Sequence, residues 1–194
     1  TISSADVGTG KSVNTSGITI DNSSGVGSNY TLSSASVNVT KRVISLNGVR
    51  AFDGTNNASS TDLSISNLVS GENLTLSGSG TVPNATVEMN KAITLGSLSV
   101  SDGSGGASSN YTLTGGSHTL DISQLSVNIT GSRQYDGTKT VNSSDLTLTN
   151  LVSGETVSLT GAGTVADENV GANKTVTAGS LALTLSLIHI SEPT

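Results

Sequence analysis

A self-match within the chain constrains its fold more than any other sequence feature. The motif Phe-Asp-Gly-Thr at 52–55 returns as Tyr-Asp-Gly-Thr at 135–138, which is 83 positions later. The motif Asn-Leu-Val-Ser-Gly-Glu at 67–72 returns at 150–155 with the same interval, and no gap is needed between the motifs. Self-similarity at a fixed period indicates tandem structural units, here of about 80 residues.

This period divides the 194 residues into unequal parts. The motif Asn-Tyr-Thr-Leu occurs at 29–32 and again at 110–113, which places the back half of a unit near the start of the chain. We therefore expect the C-terminal half of a repeat at 1–41, a complete repeat at 42–123 and a truncated repeat at 124–184.

Residues 185–194 leave the repeat register. Their sequence, Leu-Ser-Leu-Ile-His-Ile-Ser-Glu-Pro-Thr, resembles the adaptor-derived translation that ends some open reading frames. We interpret this tail as artefactual, with a diverged last strand as the alternative.

Apolar residues recur at every second position through most of the repeat. Pairs such as Ile44 and Leu46 or Leu63 and Ile65 are typical of strands with one buried face. The sequence predicts an all-β fold of elongated tandem modules, each a small β-sandwich or β-grasp-like sheet. Asn47-Gly48 is predicted to begin a turn, and Ser70-Gly71-Glu72 to form a hairpin turn between the second and third strands.

Composition and charge exclude several classes of function. The net charge is −6, whereas nucleic-acid binding needs clustered Lys and Arg, and an anionic membrane surface is disfavoured for the same reason. The chain has no Cys and therefore no disulfide or thiolate metal site. No apolar run reaches the roughly 18 residues of a membrane-spanning helix, so we expect no membrane insertion. No signal peptide precedes Thr1, so the sequence does not report its own export.

The aromatic-Asp-Gly corner is the most distinctive recurring element. Asp bonds readily to its own backbone and Gly accepts a positive φ, so Asp53-Gly54 and Asp136-Gly137 predict tight turns. Only 2 % of the residues are aromatic, and a buried ring removes about 150–250 Å² from water. We therefore expect Phe52 and Tyr135 to be the largest contributors to the two cores, as anchors beside turns and not as a ligand site.

The recurring residues are interpreted as structural motif positions, with no catalytic, cofactor or metal role assigned. They are Phe52, Asp53, Gly54, Tyr135, Asp136, Gly137, Gly71, Gly154, Lys91, Lys174, Tyr30 and Tyr111. Lys91 and Lys174 recur together with Glu72 and Glu155, which favours an ion pair or solvated charges over the sharper alternative, a Lys-to-Asn isopeptide crosslink.

Calcium binding and catalysis are less favoured than the structural interpretation. Asp102-Gly103-Ser104-Gly105-Gly106 with Asp53, Asp62 and Glu72 offers oxygen ligands for calcium, but the acids are sparse and ordinary turn roles are favoured. His118 and His189 lie outside repeated positions, so a Ser-His-Asp mechanism has no base. We expect no enzyme activity and no cofactor.

Taken together, the motifs resemble the YDG family of repeats and, more loosely, the related MBG-type modules. The pattern consists of aromatic-Asp-Gly-Thr, Val-Ser-Gly-Glu, Val-Gly-x-Asn-Lys and Asn-Tyr-Thr-Leu, and the resemblance extends from residue 1 to about 184. Phe52 departs from the family's Tyr, and Asn84–Met89 lacks the Asp-x-Asn-Val-Gly form present at 167–171.

The resemblance implies a place and a role. Such repeats occur in large secreted or surface-attached bacterial proteins, notably filamentous-haemagglutinin-like exoproteins of two-partner secretion. It implies an extracellular adhesin stalk without catalysis, whose partners are neighbouring repeats, with a host-surface glycan or protein as a further candidate. The alternative is a glycan- or mucin-binding adhesive module, which would need Tyr30, Tyr111 and Tyr135 exposed together on one face.

Overall fold

The structure is a computed structural model, and it describes residues 1–185. These residues form eighteen short strands and four 3-10 helices of three residues each, so the expected all-β fold is confirmed. None of the short helices in the described residues has the length or apolar character that a membrane crossing requires.

The strands follow the repeat along the chain. Those of the upstream half-repeat are β1 (Gly8–Ser12) and β2 (Ser36–Val39). Those of the complete repeat are β3 (Arg42–Val43), β4 (Ser45–Ala51), β5 (Asn57–Ser59), β6 (Leu63–Ser66), β7 (Leu74–Ser77), β8 (Ser79–Thr81), β9 (Glu88–Ala92), β10 (Ser99–Asp102), β11 (Tyr111–Thr112) and β12 (His118–Ser123). Those of the third copy are β13 (Asn128–Gly131), β14 (Thr140–Asn142), β15 (Leu146–Thr149), β16 (Val157–Thr160), β17 (Ala162–Thr164) and β18 (Ala182–Leu185). The 3-10 helices are Gly27–Asn29, Ser60–Asp62, Ser108–Asn110 and Ser143–Asp145.

Three antiparallel pairs of the complete repeat recur in the third copy with the same register. The pairs β4–β6, β5–β8 and β7–β10 correspond to β13–β15, β14–β17 and β16–β18. Ser45 faces Ser66, for example, and 83 positions later Asn128 faces Thr149. The duplicated sequence therefore produces a duplicated hydrogen-bond pattern.

The complete repeat is built around a four-stranded sheet of order β6-β4-β12-β9. Strand β12 is antiparallel to β9. It runs in the same direction as β4, because the Leu46 amide donates to the Ser117 carbonyl at one end and the Ser123 hydroxyl donates to the Arg50 carbonyl at the other. The last strand of the repeat thus enters between two strands that precede it.

The core of the complete repeat is aliphatic, apart from one buried ring. Leu46 of β4 and Leu120 and Ile122 of β12 are buried almost completely, and alternate residues of β6 and β7 are buried or half-buried. The buried apolar residues are Ile44, Leu46, Ala58, Leu63, Leu74, Val82, Ile93, Leu98, Tyr111, Leu120 and Ile122, with Val141 in the third copy. The predicted alternation is therefore confirmed.

One predicted turn is absent, and one predicted hairpin is a turn between strands that do not pair. Gly48 lies inside β4, and a Cβ there would stand 2.0 Å from the Asp62 carbonyl oxygen, so the glycine allows close strand approach and does not begin a turn. The segment Ser70-Gly71-Glu72 does form a turn, but not a hairpin, because β6 pairs with β4 whereas β7 pairs with β10. The hairpin prediction assumed that strands adjacent in sequence pair with each other, whereas the prediction at Asn47-Gly48 rested on the Asn-Gly dipeptide alone.

The described chain separates into two compact units. The first contains residues 1–50 and 55–123, and the second contains residues 51–54 and 124–185. Leu185, the first residue of the proposed tail, pairs with Val157 at the end of β18. The rest of that tail, 186–194, lies outside the described residues.

Equivalent positions in the two copies predict unequal losses of stability. Leu46 is 1 % exposed, so Leu46→Ala should lower the free energy of unfolding of its unit by roughly 2–5 kcal/mol. Ile129, its equivalent, is 41 % exposed, and Ile129→Ala should cost less than about 1 kcal/mol. Urea unfolding followed by residue-resolved NMR measures both; equal losses would contradict the difference in packing.

Candidate functional site

The recurring aromatic-Asp-Gly-Thr corner is a polar turn closed by an arginine. The Asp136 carboxylate accepts both the backbone N–H and the hydroxyl of Thr138, each at 2.9 Å. The Arg133 guanidinium pairs with the same carboxylate and donates to the Thr138 carbonyl. Gly137 has a φ of +74°, which a residue with a Cβ resists. Arg133, followed by the Thr138 backbone N–H, lowers the pKa of Asp136 to about 2.

The corner of the complete repeat shares this construction. Gly54 has a φ of +77°, and the Arg50 guanidinium donates to the Thr55 carbonyl. The sequence analysis missed both arginines. The available signal was their repetition, since Arg50 and Arg133 each stand two residues before the ring and 83 positions apart.

The expectation that the corner rings dominate the cores is wrong. Tyr135 is 65 % exposed and Phe52 is only half-buried. Tyr135 stands between Arg133 and Asp136, whose ion pair is partly exposed to solvent, so the ring stays at the surface with them. Aliphatic side chains form most of the core of the complete repeat instead, and the largest that are almost completely buried are Ile44, Leu46, Leu120 and Ile122.

The buried ring is Tyr111, and it joins two recurring motifs. Tyr111 is 3 % exposed and packs against Ile44 and Leu74. Its hydroxyl donates to the Glu72 carboxylate and accepts the backbone N–H of Val69 at 3.2 Å. Glu72 itself closes the Val-Ser-Gly-Glu turn, because its backbone N–H donates to the Val69 carbonyl at 3.1 Å. Burial and, second, the Glu72 contact raise the pKa of Tyr111.

Tyr30 occupies the same motif without a Val-Ser-Gly-Glu turn to contact. It occupies the Asn-Tyr-Thr-Leu position of the upstream half-repeat, where residues 1–29 contain no Val-Ser-Gly-Glu segment, and it is 66 % exposed. The three tyrosines therefore do not form the exposed platform that a glycan-binding reading requires, because Tyr111 is buried.

The recurring lysine closes a loop. The Lys91 ammonium is buried and donates to Asn84 Oδ1 at 2.6 Å and to Thr86 Oγ1 at 3.1 Å, and it forms an ion pair with Glu88 at 2.8 Å. A buried ammonium needs such partners because desolvation is costly.

The third copy repeats this loop closure with different chemistry. Lys174 donates to the Asp167 carboxylate at 2.5 Å and to its carbonyl at 3.2 Å. This contact, followed by the Asn169 backbone N–H, lowers the pKa of Asp167. The signal for Asn84 and Asp167 was their shared position seven residues before each lysine.

The expected ion pair between the recurring Lys and Glu is wrong. Lys91 pairs with Glu88 because both belong to one loop, whereas Glu72 lies in another turn and receives the Tyr111 hydroxyl. The Lys-to-Asn crosslink stays a prediction, and Asn84 is the amide that lies beside Lys91.

Asp102 and His118 also have local structural partners. Within residues 1–185, no three His, Cys, Asp or Glu side chains are grouped closely enough to hold a metal. Asp102 accepts the hydroxyl and, second, the backbone N–H of Ser108, each at 2.7 Å, and these hydrogen bonds lower the pKa of Asp102. His118 Nδ1 accepts the Leu46 N–H at 3.2 Å, so Nε2 carries the proton and donates to the Leu113 carbonyl at 2.9 Å.

Comparison with known proteins agrees with the repeat structure. Residues 39–120 and 121–186 each match the family model of the YDG domain. No curated protein and no solved structure matches the chain. The pairing of β1 with β2 places Lys11 opposite Val37, as Lys91 stands opposite Leu120, so the repeat pattern continues upstream of the matched residues.

The Asp136 corner predicts a pH dependence. Its folded pKa of about 2 lies below the ordinary 3.8, so its stabilising contribution is complete above about pH 4 and disappears as the pH falls through about 2. An NMR titration of the Asp136 side-chain carboxyl should give a midpoint near 2, and Arg133→Gln should move it towards 3.8. A midpoint near 3.8 in the unaltered protein would contradict the ion pair between Arg133 and Asp136.

The Tyr111 hydroxyl predicts an asymmetry between two tyrosines. Tyr111→Phe should lower the free energy of unfolding by about 1–3 kcal/mol, because the Val69 N–H and the Glu72 carboxylate both lose their partner. Tyr30→Phe is the matched control and should have little effect, since Tyr30 is exposed. Indistinguishable urea midpoints for the two variants would argue against the hydroxyl's role.

Proposed function

Because this chain belongs to the YDG domain family, we propose that it is a non-catalytic spacer segment in the stalk of a secreted or surface-attached bacterial adhesin. The observation that carries the proposal is the strand register that recurs after 83 residues. Three antiparallel strand pairs form in the same register in both copies, and the complete repeat has a core of its own, so adding repeats adds length without requiring a new kind of core.

The use of the recurring polar residues supports a mechanical role over a chemical one. Asp136 is engaged by Arg133, Glu72 by Tyr111, and Lys91 by Glu88. Each of these contacts holds a turn or a loop. The residues that persist between copies are thus accounted for by the folding of the repeat.

Composition supports an extracellular location. The chain has no Cys and few charged residues, and its strands carry outward-facing Ser and Thr, which keep a thin-cored surface hydrated. Its resemblance to filamentous-haemagglutinin-like exoproteins makes two-partner secretion the export route that we propose. Neighbouring repeats are the partners that this role requires.

One observation favours the glycan-binding alternative. Tyr135 is exposed and lines a cavity of about 520 Å³ in the third copy. An exposed ring beside a cavity suits sugar stacking, but this ring stands alone, and the other exposed tyrosine, Tyr30, belongs to the other unit. We therefore rank this function second.

A spacer should unfold in discrete mechanical steps. Single-molecule pulling on the full chain from its two ends should give an extension of roughly 270–300 Å for a complete repeat of about 80 residues. The steps are expected because the complete repeat is a hydrogen-bonded module with a core of its own. A smooth extension without steps would contradict the modular spacer.

A glycan array separates the two functions. The full chain should give no saturable signal, because the three-tyrosine platform is absent. Saturable binding that disappears in Tyr135→Ala, but not in Tyr30→Ala, would overturn the spacer proposal in favour of an adhesive module.

A further inference from the structure

One side chain joins segments that belong to different repeats. Asn110 opens the Asn-Tyr-Thr-Leu motif of the complete repeat, and its side chain reaches the upstream half-repeat. Asn110 Oδ1 accepts the backbone N–H of Val7 at 2.8 Å, and Asn110 Nδ2 donates to Asp6 Oδ1 at 2.9 Å. All three residues belong to the first compact unit. The asparagine thus holds a backbone donor and a carboxylate that lie at least 103 positions away in sequence.

The Asp6 carboxylate is held in place for this contact. It accepts the Ser4 hydroxyl at 2.8 Å, and the Asp6 backbone N–H donates to Ser4 Oγ at 3.1 Å. The hydrogen bond from Asn110, followed by that from Ser4, lowers the pKa of Asp6. Asn110 therefore donates to a charged acceptor, and such a hydrogen bond is stronger than one between neutral groups.

The segment that Asn110 holds is a defined part of the repeat. Like the valines at 87 and 170, Val7 stands four residues before the recurring lysine. In the two downstream copies, the start of this loop is bonded to the chain that leaves the aromatic-Asp-Gly corner. The Val82 N–H donates to the Asn56 carbonyl, and the Val165 N–H donates to the Lys139 carbonyl, each at 2.9 Å. The corner and the loop before the lysine are therefore linked in the same way in each of these copies.

A second contact joins a corner to a Val-Ser-Gly-Glu turn. Residues 51–54, which contain the corner of the complete repeat, belong to the second compact unit. Within that unit Gly54 lies against Val152, because a Cβ at Gly54 would stand 2.8 Å from Val152 Cγ1. Val152 is the valine of the Val-Ser-Gly-Glu turn of the third copy. Here too, one repeat meets a recurring motif of the repeat that follows it.

The two receiving motifs lie side by side. In the complete repeat, Tyr111 follows Asn110 directly, and its hydroxyl bonds to Glu72 and to the Val69 N–H. Tyr111 also packs against Leu74, which follows the turn. The start of the Asn-Tyr-Thr-Leu strand and the Val-Ser-Gly-Glu turn thus form one surface.

We propose that this surface is the docking site for the preceding repeat of the same chain. The Asn-Tyr-Thr-Leu asparagine binds the loop before the preceding repeat's lysine, and the Val-Ser-Gly-Glu valine packs against the preceding repeat's corner glycine. The contact joins two different surfaces, so each repeat can bind the one before it and be bound by the one after it. The inference goes beyond the proposed function, because this joint serves a spacer and an adhesive module alike.

Removing the Asn110 side chain tests the polar half of the joint on the full chain. In Asn110→Ala, the Val7 amide should exchange with solvent at least about tenfold faster, because it loses its acceptor. The pKa of the Asp6 carboxyl, followed by NMR, should rise towards its ordinary 3.8. Asn29→Ala, at the same motif position of the half-repeat and exposed, is the matched control and should change neither quantity.

An exchange of charge separates docking from a role of Asn110 in its own repeat. Asn110→Asp places a second carboxylate against Asp6 and should also accelerate the exchange of the Val7 amide. Adding Asp6→Asn restores one amide and one carboxylate, and should return Val7 exchange to within about threefold of the unaltered protein. Unchanged Val7 exchange in Asn110→Ala, an equal loss in Asn29→Ala, or no recovery in the double variant would overturn the proposal.

Two glycines of similar backbone conformation test the apolar half of the joint. Gly54 and Gly137 have φ of +77° and +74°, so Ala strains the backbone at either position. A Cβ at Gly54 would meet Val152, whereas among the described residues a Cβ at Gly137 would have only the Tyr135 hydroxyl within 4 Å. Gly54→Ala should therefore shift the NMR resonances of the Val152 methyl groups, and Gly137→Ala should leave them in place. Equal shifts in the two variants, or no shift in Gly54→Ala, would overturn the proposal.

Discussion

The insertion of β12 between β4 and β9 is the interaction on which the complete repeat depends. It places Leu120 and Ile122 in the core, where they and Ile44 and Leu46 are the largest side chains that are almost completely buried. A module of about 80 residues buries a smaller fraction of its surface than a large domain, so each buried aliphatic residue carries a large share of the net stability. In the third copy, β13 and β15 pair in the same register as β4 and β6.

Polar contacts at the corners then fix the ends of the strands. Three contacts satisfy polar groups that would otherwise be unpaired near a turn. They are the Arg133–Asp136 ion pair, the Tyr111–Glu72 hydrogen bond and the hydrogen bonds of Lys91 within its loop. Two of these contacts are local, but Tyr111 and Glu72 are 39 residues apart in sequence. This contact joins the Val-Ser-Gly-Glu turn to the Asn-Tyr-Thr-Leu strand. Because the two motifs are far apart in sequence, neither one predicts its contact with the other.

Much of the architecture could be predicted from the sequence. The 83-residue match predicts repeated strands, and the alternation of residues such as Ile44 and Leu46 predicts an all-β fold with one buried face. Strand pairing could not be predicted, because β12 joins β4 across about 70 residues and the sequence carries no record of that contact. The adjacent strands β6 and β7 therefore invited a hairpin assignment that the sheet order contradicts.

The sequence predicts which residues of the recurring motifs matter, but it does not predict which residues they contact. Residue rarity suggested that Tyr135 was buried, but its charged neighbours keep it at the surface. Hydrophobic content alone does not decide burial when the flanking side chains require water. Four of the missed residues recur with the same interval as the named motifs: Arg50, Arg133, Asn84 and Asp167. They would have been found if every recurring polar position had been treated as a candidate partner.

The same strand pairing, in the same register, forms in the complete repeat and in the third copy. The most direct test is the set of inter-strand NOEs in the assigned NMR spectrum of the full chain. The account predicts contacts between residues 46 and 65 and, in the same register, between residues 129 and 148. A register shift between the two copies, or helical sequential contacts in either segment, would contradict it.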